Sequence, residues 1–303
     1  MKLVAGTRGS RLALKQIDIV ASKLRRVNPP VNVETLIVKT AGDVFRDRPI
    51  ASIDQKGVFS KAIDEAVLRG EADFAVHSMK DLPNELSPGT FICAIPERAS
   101  PYEVLVSAMY GSLDELPPGA VVGTSSPRRT AQILHVRGDV EVKLIRGNVD
   151  TRLRKLEEGL YDALILAEAG LARLGREDVT KERLSLREFT PPAGQGALAI
   201  VAREEDDEVK KVLNQITHPP SWAAIEAERA FIDVMGGGCR IPLGVNVQLT
   251  EEMTLFASLL SPDGRVRHQF STSGDGADPR KFGRKAAVEM MEHGASRLIE
   301  RWS

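Results

Sequence analysis

Three kinds of residue in this chain of 303 amino acids could do chemistry: a thiol in a glycine run, an acid behind an apolar strand, and arginines at helix starts. The thiol is Cys239, within Gly236-Gly237-Gly238-Cys239-Arg240-Ile241-Pro242-Leu243-Gly244. Glycine permits left-handed backbone angles and close approach of other groups, and Pro242 fixes the exit, so the loop is built to present a sulfur. The acid is Asp81, in His77-Ser78-Met79-Lys80-Asp81-Leu82-Pro83, directly after the apolar run DFAV. A carboxylate at a strand end can stabilise a developing cation or move a proton, and Lys80 beside it can hold an anion. Pro83 keeps Leu82 extended and prevents a helix from starting there.

The arginines recur at three strand-to-helix junctions: GTRGSR (6–11), GTSSPRR (123–129) and IRGNVDTR (145–152). In the first two, Gly-Thr follows an apolar strand, and an arginine, Arg11 or Arg128, lies four residues after the threonine. This is a weak internal repeat. The first turn of a helix has unpaired N–H groups and a partial positive charge. Ser10, Ser126 and Asn148 can cap these turns, and Pro127 suits the first helical position. Arg8, Arg11, Arg128, Arg129, Arg146 and Arg152 then make each mouth an anion site, with guanidinium gripping carboxylates two bonds at a time. A single arginine in a first turn is ordinarily a solvated surface residue; three such junctions together run against the usual preference of helix starts for acids. No Walker loop and no GxGxxG is present, which disfavours nucleotides. The ligand implied carries several carboxylates or phosphates.

The elements that must position these groups follow from periodicity. Apolar strands are expected at 2–5, 31–40, 73–78 and 90–95, with amphipathic helices from Arg11 and over 59–70. The same beat restarts with strands at 103–107, 120–126, 140–145 and 163–168 and helices after Pro127 and Asn148. Strands alternating with helices imply parallel pairing. In doubly wound sheets the strand ends face a crevice, so the mouths should converge on one cleft between two lobes. PERASP (96–101) and PPAGQG (191–196) read as two crossings, and ALAIVAR (197–203) as a further buried strand. After HPPS (218–221) comes a helix, three antiparallel strands with Ser261-Pro262-Asp263-Gly264 as a hairpin turn, and a closing amphipathic helix over 279–301. The expected domains are 1–96 with 197–217, then 101–191, then 220–303.

Composition narrows the classes. Hydrophobic content of 42% and charged content of 27% are ordinary for a globular protein. A net charge of −1 argues against a general polyanion binder, and an aromatic share of 5% gives little base-stacking surface. Two cysteines, Cys93 and Cys239, make no disulfide framework, and the five histidines are scattered, so no metal site is expected. The N-terminus lacks the apolar run of a signal peptide, and no run is long enough to span a membrane. The expectation is a cytoplasmic protein with reduced thiols.

Taken together, the segments GTRGSRLALKQ, QKGVFSKAIDEAVLRGEADFAVHSMKDLP, GTSSPRRTAQ, IRGNVDTRL, LAEAGLARLG, PPAGQGALAI, ERAF and GGGCRIPLG resemble the porphobilinogen deaminase (hydroxymethylbilane synthase) family, in order and over essentially the whole chain. The resemblance implies an α/β fold of two periplasmic-binding-protein-like lobes with doubly wound mixed sheets, plus a small α+β C-terminal domain with a three-stranded antiparallel sheet. It implies a transferase that condenses four porphobilinogen molecules head to tail, releases ammonia at each step and hydrolyses off hydroxymethylbilane. Cys239 would carry a dipyrromethane cofactor through a thioether, as primer rather than as nucleophile of each turnover. Asp81 would be the acid/base residue. Lys80, Thr124, Ser126, Arg128, Arg129, Arg146 and Gly196 would bind the cofactor; Arg8, Ser10, Gln16, Lys56, Arg146, Arg152 and Arg173 would bind substrate. Each pyrrole carries an acetate and a propionate, which accounts for the arginine mouths. The implied protein is a monomer with a small-molecule partner and neither nucleic acid nor membrane.

Some positions depart from the commoner family pattern. Asp54-Gln55-Lys56-Gly57 stands where Gly-Gly-Lys-Gly is frequent, Ser52 where a basic residue is frequent, Arg11 where proline is common, and Pro127 where leucine is common. Two rival readings are a two-lobed anion-binding protein without catalysis and a purely structural α/β protein; the latter leaves the arginine mouths without a purpose. Cys93, inside TFICAI, reads as an inert buried thiol.

Overall fold

The computed structural model describes residues 1–40, 60–236 and 241–299. These fall into two compact units: residues 1–99 with 196–222, and residues 100–195 with 223–303.

The first unit is built on a five-stranded sheet in the order β2-β1-β3-β10-β4. Its strands are β1 (Lys2–Thr7), β2 (Asn32–Ile37), β3 (Phe74–Ser78), β4 (Thr90–Ala94) and β10 (Leu198–Arg203). β1 runs parallel to β2 and β3, whereas β10 runs antiparallel to β3 and β4. The parallel pairing expected from the strand–helix rhythm therefore holds for three strands, and the sheet is mixed because β10 arrives from a distant part of the chain. Helices α1 (Arg11–Leu24), α2 (Lys61–Leu68) and α6 (Asp207–Asn214) bury apolar stripes on it. The core joins Ile17, Val20 and Leu24 of α1 to Leu3, Ala5, Phe74, Val76 and Ile200, all nearly sealed from water.

The second unit repeats the plan. Its five-stranded sheet has the order β7-β6-β8-β5-β9, with β5 (Glu103–Ser107), β6 (Val121–Gly123), β7 (Glu141–Lys143), β8 (Ala163–Ala167) and β9 (Thr180–Arg183). Here too three strands are parallel, and the fourth in order, β5, is antiparallel to both neighbours. The registers correspond residue by residue. Gly6 pairs with Ala75, the second residue of β3, and Gly123 with Leu164, the second residue of β8. Leu198 opens β10 opposite Ser78, and Glu103 opens β5 opposite Ala167. Each antiparallel strand even carries its irregularity after its third residue, at Ile200/Val201 and at Leu105/Val106. Side chains alternate across the sheet: Leu105, Val122 and Ile165 enter one core, and Val104, Val106, Leu164 and Leu166 enter the other. Helices α3 (Pro127–Val136), α4 (Val149–Glu157) and α5 (Glu168–Leu174) follow β6, β7 and β8.

A three-stranded antiparallel meander completes this unit: β11 (Leu243–Leu249), β12 (Met253–Leu260) and β13 (Arg267–Gly274), as expected. Its inner face packs Val245, Leu255 and Leu259 on Phe231 of α7 (Pro219–Met235) and on Met290 of α8 (Pro279–Met290). The Ser261–Gly264 turn closes as expected, with the Gly264 amide donating to the Ser261 carbonyl at 2.9 Å. Gly264 has φ of 71°, and a Cβ there would collide with the Ala131 carbonyl and the His135 amide of α3. His135 Nδ1 is 2.8 Å from the Gly264 carbonyl, which fastens the turn to that helix. The expected single closing helix is interrupted: Gly294 takes φ of 112°, and α9 (Ser296–Ile299) resumes beyond it.

Candidate active site

In the first unit the β1–α1 junction and the end of β3 are adjacent because their strands pair. Ser10 has extended backbone and accepts from the Ala13 amide at 3.2 Å, the expected N-cap. Beyond β3, Met79–Asp81 form one tight helical turn, and the Met79 amide donates to the Ala197 carbonyl at 3.0 Å. Met79 and Leu82 are buried on either side, which leaves Lys80 and Asp81 exposed between two apolar anchors. Leu82 has φ of −80° and ψ of 137°, the extended conformation expected ahead of Pro83.

These elements line a pocket partly open to solvent, with Arg8, Ser10, Gln16, Ser78 and Asp81 among its walls. Four residues proposed from sequence therefore share one pocket. Gln16 is buried and donates through Nε2 to Ser78 Oγ at 2.8 Å, tying α1 to the strand that carries Asp81. His77, missed as a pocket residue, lies 3.1 Å through Nε2 from Asp64 Oδ1, and Ser87 Oγ donates to Asp64 Oδ2 at 3.1 Å. Its signal in the sequence was Asp64 on the inward face of an amphipathic helix, where an acid needs a partner.

In the second unit two mouths lie side by side because β6 and β7 are parallel neighbours. The Thr124 amide donates to the Lys143 carbonyl at 3.0 Å, and the Ile145 amide to the Thr124 carbonyl at 3.3 Å. Ser126 caps α3 by accepting from the Arg129 amide at 3.4 Å, and its own amide donates to Thr124 Oγ1 at 3.2 Å. Asn148 caps α4, accepting from the Thr151 amide at 2.9 Å. Gly147 before it has φ of 114°, which excludes a side chain at that corner. Arg152 Nε donates back to the Gly147 carbonyl at 2.8 Å.

Arg128 and Arg129 are not solvated first-turn arginines; both are buried. Arg128 Nη1 donates to Gln132 Oε1 at 2.7 Å and to the Thr190 carbonyl at 2.8 Å, and Nη2 to Glu103 Oε1 at 2.5 Å. Arg129 Nη2 donates to Glu103 Oε2 at 2.7 Å. Burial lowers the Arg128 pKa, Glu103 pushes it back up and the charge on Arg129 lowers it again. The Nε atoms of Arg129 and of Arg146 are buried without a hydrogen-bond partner. Arg173, in the last turn of α5, is half-buried, and burial brings its pKa down to about 10. Sequence reasoning missed Glu103 and Gln132. An acid at the head of the otherwise apolar EVLVS was the available sign.

Gly196 belongs to the first unit; it has φ of 87°, and its carbonyl accepts from the Ala99 amide at 3.1 Å. Cys239 and Lys56, with the departures at Ser52, Asp54 and Gln55, lie outside the described residues. Gly236, at the start of the glycine run, has φ of 65°, and Leu243 enters β11. Cys93 is buried, with Sγ 3.2 Å from the Ile200 carbonyl, and burial pushes its pKa up to about 12, so it is the inert thiol. Among the described residues no His, Cys, Asp and Glu group could hold a metal ion, and no helix is long and apolar enough to cross a membrane.

Two mixed α/β sheets of matching topology carry side-chain-capped, arginine-bearing helix starts, and a small antiparallel sheet follows the glycine-cysteine run in sequence. Residues 3–211 match the family model "Porphobilinogen deaminase, dipyromethane cofactor binding domain", and residues 222–292 match "Porphobilinogen deaminase, C-terminal domain". The chain is 43% identical over 303 residues to a probable porphobilinogen deaminase of Nitrosopumilus maritimus, covering 100% of this chain and 97% of that one. It is 43% identical over 298 residues to the porphobilinogen deaminase of Bacillus velezensis, covering 97% and 95%. Among solved structures, a periplasmic substrate-binding protein of an ABC transporter from Coxiella burnetii aligns with a TM-score of 0.45 and 14% identity, over 72% of this chain and 93% of that one. The chain belongs to the porphobilinogen deaminase family.

Proposed function

We propose that the protein joins four porphobilinogen molecules head to tail, releasing one ammonia per addition, and then hydrolyses off the linear tetrapyrrole hydroxymethylbilane. The observation that carries this reading is an exposed acid, Asp81, in a pocket with Arg8 and Ser10; the buried guanidiniums at the α3 mouth of the other sheet add to it. A dipyrromethane fits the second set: its acidic side chains supply acceptors for the orphaned Nε atoms of Arg129 and Arg146, and the capping hydroxyls of Thr124 and Ser126 stand in the same mouth. On this reading Cys239 holds the group through a thioether, and Lys80, Thr124, Ser126, Arg128, Arg129, Arg146 and Gly196 are its binding residues. When bound, the group supplies the nucleophilic pyrrole carbon from which the chain grows.

The protein's own residues do the rest. Arg8, Ser10, Gln16, Lys56, Arg146, Arg152 and Arg173 bind substrate carboxylates. Departure of ammonia leaves positive charge on the incoming ring. Asp81, held out by its two buried neighbours, stabilises that charge beside the pyrrole N–H groups and takes part in the proton transfers. Exclusion of water strengthens both effects. We further read the protein as a cytoplasmic monomer with no nucleic-acid or membrane partner; the net charge of −1 and the aromatic share of 5% support the absence of a nucleic-acid role.

The test is stoichiometric. Purified protein given porphobilinogen should release one ammonia per substrate consumed and yield a linear tetrapyrrole, and Cys239→Ala should release almost none. Saturable binding of porphobilinogen with no ammonia would instead establish a binding protein without catalysis.

A further inference from the structure

Glu103 is fully buried at the first position of β5 and shares that complete burial with Glu228 in the second unit. A buried carboxylate is costly unless paired and hydrogen-bonded, and apolar residues of similar volume would close such a site at least as well. The other sheet does so: Leu198 holds the corresponding register at the head of β10. Glu103 instead gathers both first-turn guanidiniums of α3, at 2.5 and 2.7 Å. The two arginines are not held alike. Arg128 is also fixed by Gln132 and the Thr190 carbonyl, whereas Arg129 keeps a buried Nε without a partner. Among the described residues, these two guanidiniums share one carboxylate, which leaves one positive charge in excess.

We infer that Glu103 is a positioning residue for chain growth: it orients the Arg128–Arg129 pair and leaves that pair one anion short, so that a carboxylate of the bound pyrrole chain completes the cluster at Arg129. Arg128 is then the fixed post and Arg129 the hand. This rests on the reading of Arg129 as a ligand residue.

The test uses the full-length protein and three variants, Glu103→Gln, Glu103→Asp and Arg129→Gln, read by intact mass for the pyrrole adduct, by KM and kcat for porphobilinogen, and by thermal midpoint. Arg129→Gln should lower the adduct-bearing fraction. Glu103→Gln should do the same in its folded fraction, or raise KM about tenfold or more, as loss of a charged hydrogen bond to the ligand would. If Arg129→Gln keeps wild-type adduct and kinetics, the ligand reading itself falls. If Arg129→Gln is impaired while Glu103→Gln shows only a lower midpoint, Glu103 is structural and the inference is overturned. Should Glu103→Gln fail to fold, Glu103→Asp carries the test, because it keeps the charge but is too short to serve both guanidiniums. An increase in KM of about tenfold with a smaller change in kcat supports the inference, and wild-type KM overturns it.

Discussion

The two five-stranded sheets share strand order, register and even the position of an irregularity, yet treat the same chemistry in opposite ways. In the first, Leu198 closes the head of the antiparallel strand with apolar contact, Arg11 is exposed, and the acid, Asp81, stands out in a pocket. In the second, Glu103 takes the position of Leu198, and the arginine that matches Arg11 in the repeat, Arg128, is pulled into the interior. At corresponding strand heads one sheet carries a leucine and the other a glutamate that faces its own arginines, while the exposed acid of the first sheet, Asp81, stands in a pocket. The first arrangement suits a group that must meet a changing charge; the second suits a rigid grip, because the donors are oriented before the ligand arrives.

The largest way to break this contrast is to neutralise the outward acid. Asp81→Asn should retain the covalent adduct and lose turnover by about two to four orders of magnitude, the range for a positioned acid/base group. Near-normal product formation would remove Asp81 from the chemistry. Next in size is an exchange of the two strand heads. Glu103→Leu leaves two buried cations uncompensated and should cost about 3–5 kcal/mol. Leu198→Glu buries a carboxyl group where leucine now makes apolar contact and should cost several kcal/mol. Both are read by urea unfolding, and equal, negligible losses would show that the sheets do not differ as described.

Smaller effects sharpen the picture. Ser10→Ala and Ser126→Ala should each lower stability by about 1 kcal/mol as N-caps. If the mouths also bind ligand, both should raise the KM for porphobilinogen. Cys93 offers a pH test confined to the first sheet. Its folded pKa of about 12 lies above the ordinary value of 9.0, so its contribution to stability is complete below pH 9 and is lost as pH rises toward 12. Cys93→Ala should flatten that part of the stability profile, and an unchanged slope would mean that other groups set it.

Much of this was legible in the residues. Ser10, Ser126 and Asn148 cap helices where spacing placed them, because a cap is a local matter of one side chain and one amide three residues on. The apolar strands were equally plain. What escaped the sequence was long-range. The reversal of β5 and β10 depends on which distant strand each meets. β9, TKER, is a polar edge strand with no burial pattern to betray it. α6, DEVKKVLN, carries its apolar stripe on only two fully buried residues, Val209 and Leu213. The Glu103 cluster was invisible for the same reason: its acid and its arginines lie 25 and 26 residues apart and meet only through sheet register.

The central claim is that these two mouths serve a pyrrole chain tethered to Cys239. It is tested most directly by the intact mass of the purified protein, followed by the mass of the peptide that contains Cys239. The account predicts an added mass of two linked pyrroles on that peptide, absent in Cys239→Ala. An unmodified Cys239 in protein that still makes tetrapyrrole, or an adduct that persists in Cys239→Ala, would contradict it.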